Sequence, residues 1–179
     1  MAWTAPRTWV TAEIVTASIM NTHVRDNLLQ TGPAKATTTS GLIVSNGANI
    51  LAERIPDGDV ETGSVNTAST SYVYLAPSPQ VANATTGTKA IVLWSAGISN
   101  STAGAISYAS FDITGATTAS SGDSLSVAFE SSAASDFATI GNAMLHTGLT
   151  AGSNTFTMQH RVTAGTGTYI NRRLMVIPL

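Results

Sequence analysis

No cysteine occurs among the 179 residues, which excludes disulfides, thiolate-held metals and a cysteine nucleophile. Charge is scarce as well. Only 10% of the residues are Asp, Glu, Lys or Arg, against roughly 25% in an ordinary soluble domain. The net charge of −2 leaves no basic patch, so nucleic acid has no electrostatic footprint to bind. No run approaches the eighteen or so apolar residues of a membrane-spanning helix. The start, Met1-Ala-Trp-Thr-Ala-Pro-Arg7, lacks the basic region followed by an apolar stretch that marks a signal peptide. Residence without a membrane, in the cytoplasm where the chain is made, is the expectation.

What is present is hydroxyl. Ser and Thr make up roughly a quarter of the chain, which suits a rigid β-protein whose weakly charged surface can pack against copies of itself. From Gly41 onward the apolar period is two. Phe156, Met158, His160 and Val162 alternate with Thr155, Thr157, Gln159 and Arg161, and similar alternation surrounds Tyr108, Phe111, Val127 and Phe129. Turn signals separate these runs: Pro56-Asp-Gly58, Pro77-Ser-Pro79, Thr86-Gly87, Ser121-Gly-Asp123, Ala151-Gly-Ser-Asn154 and Gly165-Thr-Gly167. About eight to ten short strands at this spacing predict an antiparallel β-sandwich of jelly-roll type. Ile91-Val-Leu-Trp94, apolar on both faces, reads as a central strand, and Arg172 and Arg173 in the last strand must find acceptors or face solvent. The Thr- and Ala-rich stretch from Ser99 to Ser124 reads as strands and loops.

The first thirty residues follow other rules. Trp3, Pro6 and Trp9 sit among Thr and Ala without periodicity, and Pro6 restricts its predecessor to extended backbone, so this is an arm. Thr16 is a good N-cap, and Met20, Val24 and Leu28 then recur every four residues, giving a narrow apolar stripe on a helix that Gly32-Pro33 terminates. A helix of roughly 14 residues is marginal alone in water, so the stripe needs a partner: the chain's own β-domain or another subunit. The expected organisation is an arm and helix over 1–32, a linker over 33–40 containing Ala36-Thr-Thr-Thr-Ser40, and a β-sandwich over 41–179.

The W-T-A-P-R-T-W-V arm and the I-V-T-A-S-I-M-N-T-H-V-R-D-N-L segment that follows resemble the amino-terminal part of small structural proteins of tailed bacteriophages, of minor tail, short fibre or decoration type. The resemblance covers about a sixth of the chain. Phe156-Thr-Met-Gln-His-Arg-Val162 and Asn171-Arg-Arg-Leu-Met-Val-Ile-Pro-Leu179 look like the closing strands of phage fibre tips. The resemblance implies a virion component assembled in the host cytoplasm, commonly a homotrimer, attached to capsid or tail proteins. Trp3, Pro6, Trp9, Met20, Val24 and Leu28 are the attachment residues on this reading, because large apolar groups on an isolated segment serve as anchors in a partner. The alternative is the receptor-binding tip of a tail fibre, meeting a host cell-surface glycan through the loop aromatics Tyr72, Tyr74 and Tyr169. A free secreted glycan-binding module would need a signal peptide.

Catalytic patterns are missing. No Gly-x-Ser-x-Gly, phosphate loop or His-Glu-x-x-His occurs. Asp57-Gly-Asp59-Val-Glu61 resembles part of a calcium loop but lacks its distal Glu, and is explained as a turn. Asp112, Asp123, Glu130 and Asp136 each have an ordinary strand or turn explanation in place of a glycosidase pair. A lone His160 on an apolar face, or His23 on the helix, would become a metal site only if a threefold axis gathered three copies. No cofactor, no metal and no enzymatic activity are expected.

Overall fold

The computed structural model describes residues 4, 5 and 7–179; Trp3 and Pro6 lie outside the described residues. The chain divides into two compact units, one ending at Ile55 and one spanning Pro56–Pro178.

In the first unit the Thr16 hydroxyl caps the helix, accepting from the Ile19 amide at 3.3 Å. The helix then runs through Ala17–Met20, Asn21–Arg25 and Asp26–Leu28, the middle stretch wound as a π-helix. The helix ends at Leu28 with Leu29 as its C-cap, ahead of Gly32-Pro33, which was expected to stop it. Thr31 turns extended and Gly32–Lys35 forms a fresh helical turn with proline in its first turn, where a missing N–H costs nothing. Asn27, buried beside the arm, accepts from the Thr4 amide at 2.9 Å and donates to the Thr4 carbonyl at 3.1 Å and the His23 carbonyl at 3.2 Å.

Two strands, β1 (Leu42–Ser45) and β2 (Leu51–Arg54), pair only with each other. The Glu53 carboxylate ties this hairpin to the segment before it, accepting from the Thr37 hydroxyl at 2.6 Å and the Thr38 amide at 2.9 Å. Those bonds, the Thr37 hydroxyl foremost, hold its pKa below the ordinary carboxylate value. The sandwich was expected from residue 41; the compact unit that holds it spans Pro56–Pro178, and β1 and β2 form their own two-stranded sheet in the first unit.

The second unit is an antiparallel sandwich. One sheet has the order β5 (Gln80–Thr86), β10 (Gly152–Val162), β7 (Ile106–Gly115), β8 (Val127–Glu130). The other runs β3 (Asp57–Glu61), β11 (Gly167–Pro178), β6 (Lys89–Asn100), β9 (Phe137–Thr147), with β4 (Val65–Thr67) also paired to β11. The links β5–β6, β6–β7, β8–β9, β9–β10 and β10–β11 each pass from one sheet to the other, the jelly-roll habit that the alternating pattern predicts. The inward sets Phe156/Met158/His160, Ala109/Phe111/Ile113 and Val92/Trp94/Ala96/Ile98 close the core. Trp94 stacks edge-on against Phe111 at 5.1 Å and donates from Nε1 to the Ala109 carbonyl at 3.3 Å, joining the sheets. Such aromatics contribute about 3–5 kcal/mol each when truncation leaves a cavity.

Asp57–Glu61, read from sequence as a turn, is strand β3, registered against Val176 to Arg172 of β11. Its carboxylates are spent locally: Asp57 and Asp59 accept from the Gly58 and Val60 amides at 2.8 Å, and Asp59 also accepts from the Gln80 amide at 2.9 Å. In β11 a register shift between Ile170 and Arg173 lets the adjacent arginines part company. Arg173 faces solvent, while Arg172 is fully buried and donates to the carbonyls of Pro77 at 2.7 Å and of Leu75 and Gly63 at 3.3 Å.

Candidate functional site

The outer face of the β5-β10-β7-β8 sheet is polar. Alternation sends Tyr108, Ser110 and Asp112 outward from β7, and Thr157, Gln159 and Arg161 outward from β10, in the registered pairs Tyr108–Arg161, Ser110–Gln159 and Asp112–Thr157. The loop after β7 folds back over this face. Ala119 exchanges backbone hydrogen bonds with Ile113, at 2.8 and 2.9 Å. The buried Asn154 accepts from the Thr117 amide at 2.7 Å, and the Ser110 hydroxyl lies 3.1 and 3.2 Å from the carbonyls of Gly122 and Leu125. On the other side the strand-like segment around Val73 bridges His160 through two backbone bonds of 2.9 and 3.0 Å, which sets Tyr72 beside the sheet.

Between loop and segment lies a groove of about 610 Å³ bordered by Tyr72, Asp112, Ser120, Asp123, Gln159 and Arg161, with further Ser and Thr hydroxyls. Its polar parts are linked. Arg161 grips Asp123 with two bonds, Nε at 3.0 Å and a terminal nitrogen at 2.6 Å, and its guanidinium lies 3.9 Å from the centre of the Tyr108 ring and 5.4 Å from that of Tyr72. Tyr72 donates to Asp123 at 2.9 Å. The Arg161 bonds hold the Asp123 carboxyl below its ordinary pKa, and burial pushes the Tyr72 phenol up to about 12. Asp112 behaves oppositely. Gln159 donates to its Oδ2 at 3.0 Å, while Oδ1 is buried with no hydrogen-bond partner, and desolvation raises its pKa.

Of the three tyrosines predicted to meet a ligand, only Tyr72 borders the groove. Tyr74 is exposed on the same segment. Tyr169 is a correction: it is no loop residue but sits 0% exposed in β11, its hydroxyl donating to the Arg161 carbonyl at 2.7 Å and its ring 4.5 Å from that of His160. Glycine-flanked sequence suggested a turn there, whereas Gly167 already opens the strand. Asp112, Gln159 and Arg161 carried a signal that alternation contains: polar residues recurring on the outward face of strands whose inward face is apolar.

The other predicted residues lie elsewhere. Glu130 is exposed at the end of β8, and Asp136 accepts from the Ser132 hydroxyl at 2.7 Å, which lowers its pKa. His160 is buried with both ring nitrogens unpaired, and burial, aided by the Arg172 charge, drives its pKa down to about 3. Among the described residues no three His, Asp or Glu side chains gather as metal ligands, and no helix is long and apolar enough to cross a membrane. Trp9, Met20, Val24 and Leu28 are all exposed, so within the described residues the stripe has no cover.

The outer face of the β3-β11-β6-β9 sheet carries large apolar side chains among Ser, Thr and the exposed Arg173. Val60, Phe137, Leu145 and Met175 are each about half exposed there, and Ile91, Leu93, Ile170 and Ile177 are partly covered. Between them is a depression of about 860 Å³ bordered by Val60, Leu93, Ser95, Gly141, Ala143 and Met175.

No family model matches the chain, and no curated protein matches it in sequence. Similar solved structures include the Eiger TNF of S. frugiperda (15% identity, 69% of this chain and 92% of that one, TM-score 0.47). A chain of the infectious bursal disease virus Gx strain structure matches at 11% identity over 74% of this chain, with TM-score 0.45, and this chain spans 35% of its length. The module TmCBM61, solved with beta-1,4-galactotriose, matches at 13% identity over 78% of this chain and 83% of its own, TM-score 0.30.

Proposed function

We propose that the chain is a non-enzymatic structural protein of a tailed-bacteriophage virion, a homotrimer whose subunits meet through the apolar outer face of the β3-β11-β6-β9 sheet and whose N-terminal arm and helix fix it to capsid or tail proteins. The apolar face carries the reading. Solvated sheet faces are normally polar, yet here Val60, Phe137, Leu145 and Met175 stand about half exposed on one face, Val60 and Met175 bordering its depression. Three strands of 11 to 12 residues are roughly 36 Å long and together about 14 Å wide, and the five-residue β3 adds a short edge. That offers about 600 Å² per subunit, somewhat below the ~800 Å² per partner of a standard interface. A knob such as Leu145 of one subunit seated against the depression of the next is a head-to-tail contact, the kind that closes into a ring, and the resemblance of the arm to phage virion proteins favours a ring of three.

Attachment rests on the uncovered stripe. In the full-length protein, Val24→Glu with Leu28→Glu should leave the sandwich folded, with an unchanged near-ultraviolet circular dichroism spectrum, but cut incorporation into particles at least tenfold. Normal incorporation would remove the anchor role. The groove is no hydrolytic site on this reading, because Asp123 is engaged by Arg161 and Tyr72.

One observation favours a second reading, the receptor-binding tip: the groove that holds Tyr72 is polar, aromatic-edged and walled on several sides. Adsorption of deletion phage compared with their heat survival separates the two. A surface decoration protein predicts lost survival with adsorption intact.

A further inference from the structure

We infer that the groove over the β5-β10-β7-β8 sheet binds a neutral saccharide, with Asp112 and Gln159 receiving and donating hydrogen bonds to its hydroxyls and the Tyr72 ring forming an edge. The inference rests on the receptor-tip reading for its biological role but not for its chemistry. Charge selects the ligand class. The one cation bordering the groove, Arg161, is already neutralised by the two-pronged Asp123, and Asp112 adds negative charge, so a phosphate, sulfate or uronate would meet net repulsion. A metal ion lacks a set of three ligands among the described residues. An apolar ligand would strip water from Asp112, Gln159 and the surrounding hydroxyls without replacing their bonds.

A polyhydroxyl ligand meets each of these demands. Asp112 borders the groove with one carboxylate oxygen already engaged by Gln159, and the Gln159 amide keeps its own oxygen for a sugar hydroxyl. Ser120 and its neighbours offer groups that both donate and accept. The volume of about 610 Å³ lies within the ~300–1,000 Å³ of small-ligand sites and suits a short oligosaccharide.

The test uses the full-length protein and defined soluble oligosaccharides of glucose, galactose and N-acetylglucosamine, beside sulfated and uronate-bearing counterparts, in calorimetric titration. Binding of at least one neutral oligosaccharide is expected, with none of the acidic ones bound more tightly. Asp112→Asn and Gln159→Ala should each weaken it tenfold or more. Ser120→Trp, which fills the groove from an exposed loop position, should abolish it without shifting the melting temperature. No neutral oligosaccharide bound at millimolar concentration, a preference for the acidic set, or binding that survives Ser120→Trp would each overturn the inference. Saccharide binding with normal adsorption of deletion phage would leave the site standing and remove the receptor-tip reading.

Discussion

The two outer faces of the sandwich are built from the same kind of strand yet solve opposite problems. Over β10 and β7 the outward residues are Arg, Gln, Asp and Ser, and a loop is drawn down onto them by hydrogen bonds. Over β11, β6 and β9 they include Met175, Ile91, Leu93, Leu145 and Phe137 beside Arg173 and several hydroxyls, and the large apolar ones stay partly exposed. One sheet is capped by its own chain; the other is the face proposed to meet another subunit. Period two by itself reports only which side faces the core, and the identity of the other set tells what that other side meets.

The largest expected effect breaks the comparison at the apolar face. Leu145→Glu together with Met175→Glu places two carboxylates per subunit in the proposed interface, and self-association should weaken by more than a thousandfold, about 4 kcal/mol. The matched pair on the other sheet, Thr114→Glu with Thr155→Glu, should leave the assembly intact. Sedimentation velocity reads both, and equal behaviour of the two pairs would place the interface elsewhere.

A smaller effect concerns the core that both faces share. His160 packs against the Tyr169 ring, with the Arg172 charge nearby, and in the folded chain stays neutral down to about pH 3, against an ordinary 6.5. The unfolded chain therefore takes up a proton first as pH falls below 6.5. Stability present above that pH is lost at roughly 1.4 kcal/mol per unit on the way down. Asp123, held low by Arg161, contributes above the ordinary carboxylate range and loses that as pH falls below it, and Asp112, pushed up, works in the opposite sense. Urea unfolding at pH 6.5 and 4.5 should show the loss in the native protein and a much flatter slope in His160→Leu. Parallel slopes would assign the acid sensitivity to the carboxylates of the faces.

The smallest sharpens the account of the roofing loop. Ser110→Ala removes the hydroxyl that meets the Gly122 and Leu125 carbonyls and should cost about 1–2 kcal/mol. Hydrogen exchange should rise in residues 116–126 and stay level in β6, β9 and β11. A uniform rise would mean that the loop is no separate element.

Much of the sandwich was legible because alternation is a local record of a global fact. Phe156 to Val162, the all-apolar stretch at Ile91–Trp94 and the turns at Thr86-Gly87 and Gly165-Thr-Gly167 lie where the sequence puts them. The N-cap at Thr16 was equally plain. What escaped depends on partners far along the chain. Asp57–Glu61 has turn residues but becomes a strand because β11 offers it an edge, and Leu42–Arg54 has strand residues but forms a ribbon apart. The groove escaped for the same reason. Asp112, Asp123 and Arg161 converge only because the loop after β7 returns over β10, and no spacing along the chain announces that return.

Arg172 belongs to the sheet with the apolar face, yet its guanidinium holds the carbonyls of Gly63, Leu75 and Pro77, the connection on which Tyr72 rides. Across the bulge its neighbour Arg173 borders the depression on the opposite surface. A single kink in β11 is thus a hinge point between subunit packing and the groove wall. On the proposed trimer, a neighbouring copy seated at Met175 and Arg173 would lie one short stretch of β11 and three hydrogen bonds from the segment that carries Tyr72.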